Sequence, residues 1–188
     1  MEFKDLYANE IHDGYFDGEV LHLYIYDRID FEMSNNIIKK LIDNSDKDRI
    51  VLHICSTGGE YYPTLSLINY IRTDRRSFIA INEGTCESCA LYIYLNCNKR
   101  YSYKSSIFMY HDLVHTHQYD NTININNYQL VINDSFYIST KSAFIKCVEE
   151  CADVENYKKW LSDGLDHYFT TEEAFLMGIL PTRDCILD

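Results

Sequence analysis

The fold is decided by the stretch from Arg49 to Gly59, which reads Arg-Ile-Val-Leu-His-Ile-Cys-Ser-Thr-Gly-Gly. Its first seven residues form a nearly continuous apolar run, which is typical of a strand buried on both faces of a parallel sheet. The run ends at the pair Gly58-Gly59, where the backbone can take a positive φ and approach a ligand closely. Ligands of open α/β sheets bind where strands end and helices begin, so this turn is a candidate site.

The segments around this stretch alternate between strand and helix patterns. Val20–Tyr26 alternates apolar and polar residues and predicts a strand. Residues 32–42 carry apolar side chains at helical spacing after Asp30, a predicted N-cap. The next predicted elements are a helix with Leu65, Ile68 and Ile71, a strand Phe78–Ile81 that stops at Gly84, a helix from about Ser88 to Asn96, and strands Tyr101–Tyr103 and Ile107–Tyr110. The order β-α-β-α-β-α-β-β predicts an α/β fold with parallel pairing and right-handed crossovers.

The second half of the chain is mainly helical in pattern. Residues 117–127 read as an extended or loop segment, and residues from about 128 to 151 read as a long helix. A shorter helical piece contains Val154 and Leu161, and a last helix over 172–177 ends at Gly178. We predict a single domain over 1–188, with an N-terminal segment at 1–19 and a handle-like strand or loop and long helix at about 115–150.

Composition limits the partners of the chain. Its 188 residues are 46% hydrophobic, which is enough for a sizeable core, and the formal net charge is −12. Such a charge disfavours nucleic acid and anionic membranes as partners. No segment is apolar enough to span a bilayer, and the first residues lack the pattern of a signal peptide. We therefore predict a cytoplasmic location, with neither nucleic acid nor membrane as partner.

Three separate positions have the chemistry of acyl transfer. Ser88 opens an apolar helix after a glycine turn, Gly59 ends a buried strand, and His111 ends another. A helix start stabilises developing negative charge, and a histidine titrates near neutrality. Taken alone, each has a simpler interpretation: Ser88 as an ordinary N-cap, Gly58-Gly59 as a tight turn, and His111 as a structural histidine.

Four motifs in the same order resemble the proteolytic subunits of Clp proteases. Residues 56–59, Ser-Thr-Gly-Gly, are similar to the family's Ser-Pro-Gly-Gly. Residues 84–90, Gly-Thr-Cys-Glu-Ser-Cys-Ala, resemble Gly-Gln-Ala-Ala-Ser-Met-Gly and place Ser88 on the nucleophile. Residues 106–111 resemble Ser-Arg-Val-Met-Ile-His and place His111 on the base. The resemblance covers about Val20 to Leu180.

The fourth motif supplies the acid. Residues 166–180 resemble the family's Asp-Arg-Phe/Tyr stretch without a gap and place Asp166 on the acid. The alignment shifts by about two residues after Trp160, so Asp163 is the competing candidate. The resemblance implies a Clp/crotonase-like spiral of βαβ units with a protruding helical handle.

The resemblance also implies an activity. The chain would be a serine endopeptidase in which Ser88 attacks, His111 acts as base and Asp166 orients the histidine. The backbone N–H groups of Gly59 and Cys89 would form the oxyanion hole, and Gly58, Gly59 and Glu60 would line the substrate groove. The implied substrate is an unfolded polypeptide, cleaved inside homo-oligomeric heptameric rings that can stack, with a Clp-type AAA+ ATPase unfoldase as partner. We expect no cofactor and no metal.

Other interpretations remain open from the sequence alone. Cys86-x-x-Cys89 invites a redox or zinc interpretation, although seven cysteines without a secretory signal favour reduced packing residues. His111, His115 and His117 form a second metal alternative. A catalytically impaired structural subunit is favoured by Glu87 beside the nucleophile and by the altered segment 112–117, which lacks the family's Gln-Pro and glycines. A crotonase-like acyl-CoA enzyme shares the predicted fold and the paired N–H site.

Overall fold

The computed structural model describes residues 20–111 and 135–188. These residues form one seven-stranded sheet with helices packed against it. The strands are β1 (Val20–Tyr26), β2 (Arg49–Ser56), β3 (Ser77–Glu87), β4 (Lys99–Tyr103), β5 (Ile107–Tyr110), β6 (His167–Thr170) and β7 (Ile186–Leu187). The helices are α1 (Phe31–Asp43), α2 (Tyr61–Thr73), α3 (Cys89–Leu95), α4 (Ser135–Val148), α5 (Val154–Lys159) and α6 (Thr171–Leu176), with a 3₁₀ turn at Arg183–Cys185.

The strand order is that of a mainly parallel sheet with helices between its first strands. The main path runs β1-β2-β3-β4-β7 and is parallel throughout, and β5 adds to the end of β3, again in parallel. Only β6 runs antiparallel, to β5. The predicted α/β class with a parallel sheet is confirmed, and so is the predicted element order of the first 110 residues.

The local signals in the sequence explain the first elements. Residues Ile50–Ile54 of β2 are all buried, as their apolar run predicts. The Asp30 carboxylate accepts a hydrogen bond of 2.8 Å from the N–H of Met33, which makes Asp30 the N-cap of α1. Helix α1 then buries Ile37 and Leu41 against the sheet.

The described part of the long helix predicted in the second half of the chain is α4, and it packs into the same hydrophobic core as the sheet. In α4, Phe144 and Val148 are fully buried, and the Phe144 ring stacks on Tyr110 of β5 with centroids 4.4 Å apart. Helix α4 therefore packs on its own sheet through this end. The predicted beginning of the helix near residue 128 and the loop at 117–127 lie outside the described residues, as do the N-terminal segment 1–19, His115 and His117. A single domain over 1–188 stays a prediction.

Strand β3 is longer than its sequence suggests. The predicted stop at Gly84 is wrong, because β3 continues to Glu87 through a bulge. Opposite the two-residue step from Ile54 to Ser56 in β2, β3 advances from Asn82 to Cys86, so the extra residues lie around Gly84. Before the bulge β3 pairs with β4, and after it β3 pairs with β5. At the bulge, β3 therefore changes its neighbour from β4 to β5, and Ser88, the residue after β3, lies beside β5.

Candidate active site

Ser88 occupies a strained turn between β3 and α3. Its backbone has φ 50° and ψ −120°, a conformation that residues other than glycine rarely adopt. Its N–H donates to the carbonyl of Met109 at 2.9 Å, and its own carbonyl accepts from the N–H of Tyr92 at 3.3 Å. The side chain makes no capping hydrogen bond to α3. The interpretation of Ser88 as an ordinary N-cap therefore does not fit the structure.

The Ser88 side chain instead meets His111. Ser88 Oγ lies 2.6 Å from His111 Nε2, which is a hydrogen bond. His111 follows directly after β5, and β5 pairs with the last three residues of β3, so the sheet itself brings the two positions together. The hydroxyl of Tyr92 in α3 donates to the His111 carbonyl at 2.9 Å and fixes the backbone of the histidine. Ser88 is 9% exposed, so little water competes for its hydroxyl.

Gly58 fits tightly against the backbone of Ser88. Its φ is +88°, and a Cβ at this position would lie 2.8 Å from the Glu87 carbonyl oxygen, 2.9 Å from the Cys89 nitrogen and 2.9 Å from Ser88 Cβ. Both the conformation and the space therefore require glycine here. This contact is why the glycine pair and the serine turn form one site.

Gly59 faces the same site through its own peptide groups. Ile29 pairs with it in parallel by donating to the Gly58 carbonyl and accepting from the Glu60 N–H, both at 2.8 Å. In a parallel pairing of this kind the central residue directs its own N–H and C=O to the other side. On that side, the Cys89 thiol donates to the Gly59 carbonyl at 3.4 Å.

Asp166 is the last residue before β6. The β5–β6 ladder ends at the pair of Tyr110 with His167, and His111 and Asp166 are the next residues beyond that end. Asp166 is exposed, and although both residues are described, no hydrogen bond joins its carboxylate to His111. The predicted acid and the predicted base thus lie at the same end of the ladder without a hydrogen bond between them.

Asp163, the competing acid, is held by a different histidine. Its carboxylate lies 2.9 Å from His167 Nε2 and also accepts from the N–H of Leu165 at 3.0 Å. The hydrogen bond from His167 lowers the pKa of Asp163 below its usual range.

This geometry agrees with the comparison to known families. The sequence matches the family model described as Clp protease over residues 18–181, which is most of the chain. The chain belongs to the Clp protease family. No curated protein matches it significantly. Membership in the Clp protease family indicates a peptidase and favours that function over the acyl-CoA alternative. Members of this family generally form oligomers and work with ATPases.

Two carboxylates flank the turn in this Clp protease chain. Glu87, directly before Ser88, accepts a hydrogen bond of 2.6 Å from the Thr85 hydroxyl, which holds its carboxylate alongside β3. Glu60 is the N-cap residue before α2 and forms an exposed ion pair with Arg28 at 3.5 Å. Its N–H donates to Ile29 and its carbonyl accepts from the N–H and the hydroxyl of Thr64, so the exposed carboxylate is the group of Glu60 that can meet a ligand.

The cysteines do not fit the alternative chemistries. All seven are free, and Cys86 and Cys89 are buried. Burial raises the pKa of both thiols, which opposes formation of the thiolate that a redox nucleophile needs. Within residues 20–111 and 135–188, no group of three or more His, Cys, Asp or Glu side chains is placed to hold a metal ion. In the same part of the chain, no helix is both long and apolar enough to cross a membrane.

Two features of the site were absent from the sequence interpretation. Strand β6, which presents Asp166, is four residues long and has no strong alternation. The hydroxyl of Tyr92 that fixes His111 comes from an entirely apolar helix, where a tyrosine reads as core. The only available signal was that a buried tyrosine hydroxyl needs a hydrogen-bond partner.

Proposed function

We propose that this Clp protease family member is a serine endopeptidase in which Ser88 attacks the peptide carbonyl and His111 acts as general base. The observation that carries the proposal is the 2.6 Å hydrogen bond between Ser88 Oγ and His111 Nε2. A nucleophile and a base within this distance, on a strained turn at the end of a strand, are the recurring arrangement of serine hydrolases.

The catalytic steps follow from this geometry. The Ser88 O–H donates to Nε2, so its proton passes to His111 as Oγ attacks the carbonyl carbon. The imidazolium then gives that proton to the leaving amine, the C–N bond breaks and an acyl-enzyme remains. A water molecule, deprotonated by the same histidine, hydrolyses the ester and releases the second product with Ser88 restored.

The proposed oxyanion hole is formed by the backbone N–H groups of Gly59 and Cys89. Cys89 is the first residue of α3, where N–H groups have no partner within the helix and the helix dipole favours negative charge. The packing of Gly58 on the Ser88–Cys89 backbone supports a shared pocket for these two donors. Gly58, Gly59 and Glu60 would border the groove for an extended peptide.

Asp166 is the proposed orienting acid. Its position at the same end of the β5–β6 ladder as His111 supports this role, and the hydrogen bond of Asp163 with His167 argues against the competitor. A carboxylate at His111 Nδ1 would hold the tautomer whose Nε2 accepts the serine proton. Catalytic hydrogen bonds often tighten only when substrate is bound, so a gap at this stage is compatible with the role.

The proposed setting is a closed oligomer that admits unfolded chains. Family members generally form oligomers and work with ATPases, which supports homo-oligomeric rings and an unfoldase partner for this chain. Heptameric rings that can stack, a Clp-type AAA+ ATPase and a cytoplasmic location are part of the proposal. The polypeptide substrate would reach Ser88 as an extended strand.

A second candidate function has one observation in its favour. Because Asp166 makes no hydrogen bond to His111, the chain can instead be a catalytically impaired subunit that supports an active partner. Glu87 would contribute, since a carboxylate beside the nucleophile disfavours an oxyanion.

Turnover of a fluorogenic peptide separates the two functions. The variant Ser88→Ala is compared with the wild type, and Ser105→Ala, an exposed serine just before β5, is the matched control. The peptidase proposal predicts a loss of about 10⁴-fold or more in Ser88→Ala and no change in the control. Equal turnover of wild type and Ser88→Ala would reject the nucleophile, and absence of turnover in the pure wild type would favour the impaired subunit.

A further inference from the structure

The residues just before β6 form a closed turn that neither the proposed chemistry nor the family match assigns. The Asp163 carboxylate accepts from the N–H of Leu165 at 3.0 Å, and His167 Nε2 lies 2.9 Å from the same carboxylate. Gly164 between them has φ 72°, a left-handed conformation that glycine adopts without strain. The turn from Asp163 to His167 is thus closed by a side-chain bond across its ends.

The histidine of this turn is itself held by the core. The Trp160 and His167 rings stack with centroids 4.3 Å apart and planes within 3° of each other. Trp160 in turn contacts Phe144 of α4 and Phe169 of β6, with centroids 6.3 Å and 6.0 Å away. The His167 side chain is only 15% exposed. Its position is therefore fixed by packing, and the turn is fixed to it.

Asp166 lies inside this closed turn. It precedes His167 in sequence, and His167 pairs with Tyr110, the residue before His111. The β5–β6 ladder, beyond whose end Asp166 and His111 lie, ends at His167, the residue that the stacking on Trp160 and the bond to Asp163 hold in place. If His167 were released, the first pair of the ladder and the turn before it would lose their anchor, and the exposed Asp166 would sample many positions.

We propose that His167 is a positioning residue: clamped between Trp160 and Asp163, it holds Asp166 beside His111 and keeps Asp163 away from the base. This inference rests on the proposed serine mechanism. The carboxylates of Asp163 and Asp166 are three positions apart in sequence. The clamp determines which of them orients the imidazole of His111. The hydrogen bonds of Asp163 hold it in the turn and leave Asp166 for the proposed catalytic role.

The test uses the rate at which a fluorophosphonate probe labels Ser88 in the full chain. His167→Phe keeps a flat ring for stacking on Trp160 but removes the nitrogen that binds Asp163. We expect labelling to slow by about tenfold to a hundredfold, the effect of misplacing a catalytic group by about 1 Å. His167→Gln retains an N–H donor and should recover part of the rate.

A double-mutant cycle distinguishes positioning from a purely structural role. In an Asp166→Asn background His167→Phe should have little further effect, within about twofold, because the group it positions has already been removed. If His167→Phe causes only a structural defect, it should slow labelling equally in the wild-type and Asp166→Asn backgrounds, and this result would contradict the clamp. An unchanged labelling rate in His167→Phe alone would also contradict it. If His167→Phe does not fold, Asp163→Leu, which has a side chain of similar shape without acceptor atoms, removes the same bond and takes its place in the cycle.

The same data separate failure of the clamp from failure of the proposed function. A wild type that forms no adduct at Ser88 would reject the serine mechanism on which the clamp rests. If the wild type is labelled, Asp163→Leu abolishes labelling and Asp166→Asn leaves it intact, then the serine mechanism stands but Asp163 is the acid, which contradicts the clamp. Slow labelling in Asp166→Asn together with a moderate loss in Asp163→Leu supports the clamp.

Discussion

Ser88 Oγ and His111 Nε2 lie 2.6 Å apart although 23 positions separate the two residues in sequence. They meet because β3 passes through a bulge at Gly84 and exchanges β4 for β5 as its neighbour. The serine follows the last residue of β3, and the histidine follows the last residue of β5. The contact is thus a property of the sheet, and changes to the backbone around it should affect the chemistry directly.

Gly58→Ala should displace the nucleophile. The added Cβ would lie 2.8–2.9 Å from three atoms of residues 87–89, and an L-residue at this left-handed φ costs a further ~1–2 kcal/mol. We expect a lower melting temperature and a loss of peptide turnover of about 100-fold, as for a misplaced catalytic group.

Gly178→Ala is the control for Gly58→Ala, because it has a similar φ of +76° and its added Cβ would clash with the Cys147 carbonyl oxygen, outside the candidate site. Both variants should have a lower melting temperature, but at a temperature where both are folded turnover should fall only in Gly58→Ala. Equal losses of turnover in both variants would show that the contact of Gly58 with the serine turn is unimportant.

Tyr92→Phe should reduce turnover by loosening His111. The variant removes the hydroxyl that donates to the His111 carbonyl at 2.9 Å, a bond worth about 1 kcal/mol of stability. Tyr94→Phe is the control, because its equally buried hydroxyl donates at 2.9 Å to Tyr101, away from the site. Urea unfolding should show similar destabilisation of both variants, while turnover falls only in Tyr92→Phe. A matching fall in Tyr94→Phe would trace the effect to stability alone.

The buried thiols should be unreactive in the folded protein. Burial raises the pKa of Cys86 and Cys89 and raises that of Cys97 to about 12, so none of them forms a thiolate near neutral pH. Iodoacetamide followed by mass spectrometry should modify these three residues only after unfolding in urea. Rapid modification of Cys86 or Cys89 in the native protein would revive a redox interpretation of the Cys86-x-x-Cys89 motif.

An ion pair near the end of α2 should make stability depend on pH. Arg76 donates to the Asp74 carboxylate and to the carbonyls of Leu41 and Asn44, and the pair lowers the pKa of Asp74. Because the folded pKa is below the unfolded value, the stabilisation is present above the unfolded pKa and is lost as pH falls through the folded one. Asp74→Asn should therefore lower the free energy of unfolding at neutral pH and have little effect at about pH 2. An equal loss at both pH values would exclude the ion pair as the cause.

The sequence predicts most of the fold from local patterns, whereas the pairing of Ser88 with His111 is predicted from motifs that resemble those of the Clp family. The apolar run of β2, the Asp30 cap of α1 and the turns at Gly58 and Ser88 each carry their signal within a few residues. Parallel pairing then follows from the alternation of strands and helices, and it brings the ends of neighbouring strands together.

The sequence fails where structure depends on long-range pairing. Gly84 reads as the end of a strand, but it lies in a bulge whose continuation is stabilised by β5. The pairing of β6 with β5 joins segments that are distant in sequence, so no local pattern predicts it. The hydrogen bond between His167 and Asp163, which supports the proposed choice of Asp166 as acid, spans only four residues, but it lies at the start of a strand that the local pattern does not predict.

The most direct measurement of the central claim is the fluorophosphonate adduct of the wild type, mapped by mass spectrometry and compared with His111→Ala. The activated-serine account predicts one adduct, on Ser88, formed at least about 100-fold more slowly without the imidazole. An adduct on a different residue, or equal rates in the two proteins, would contradict it.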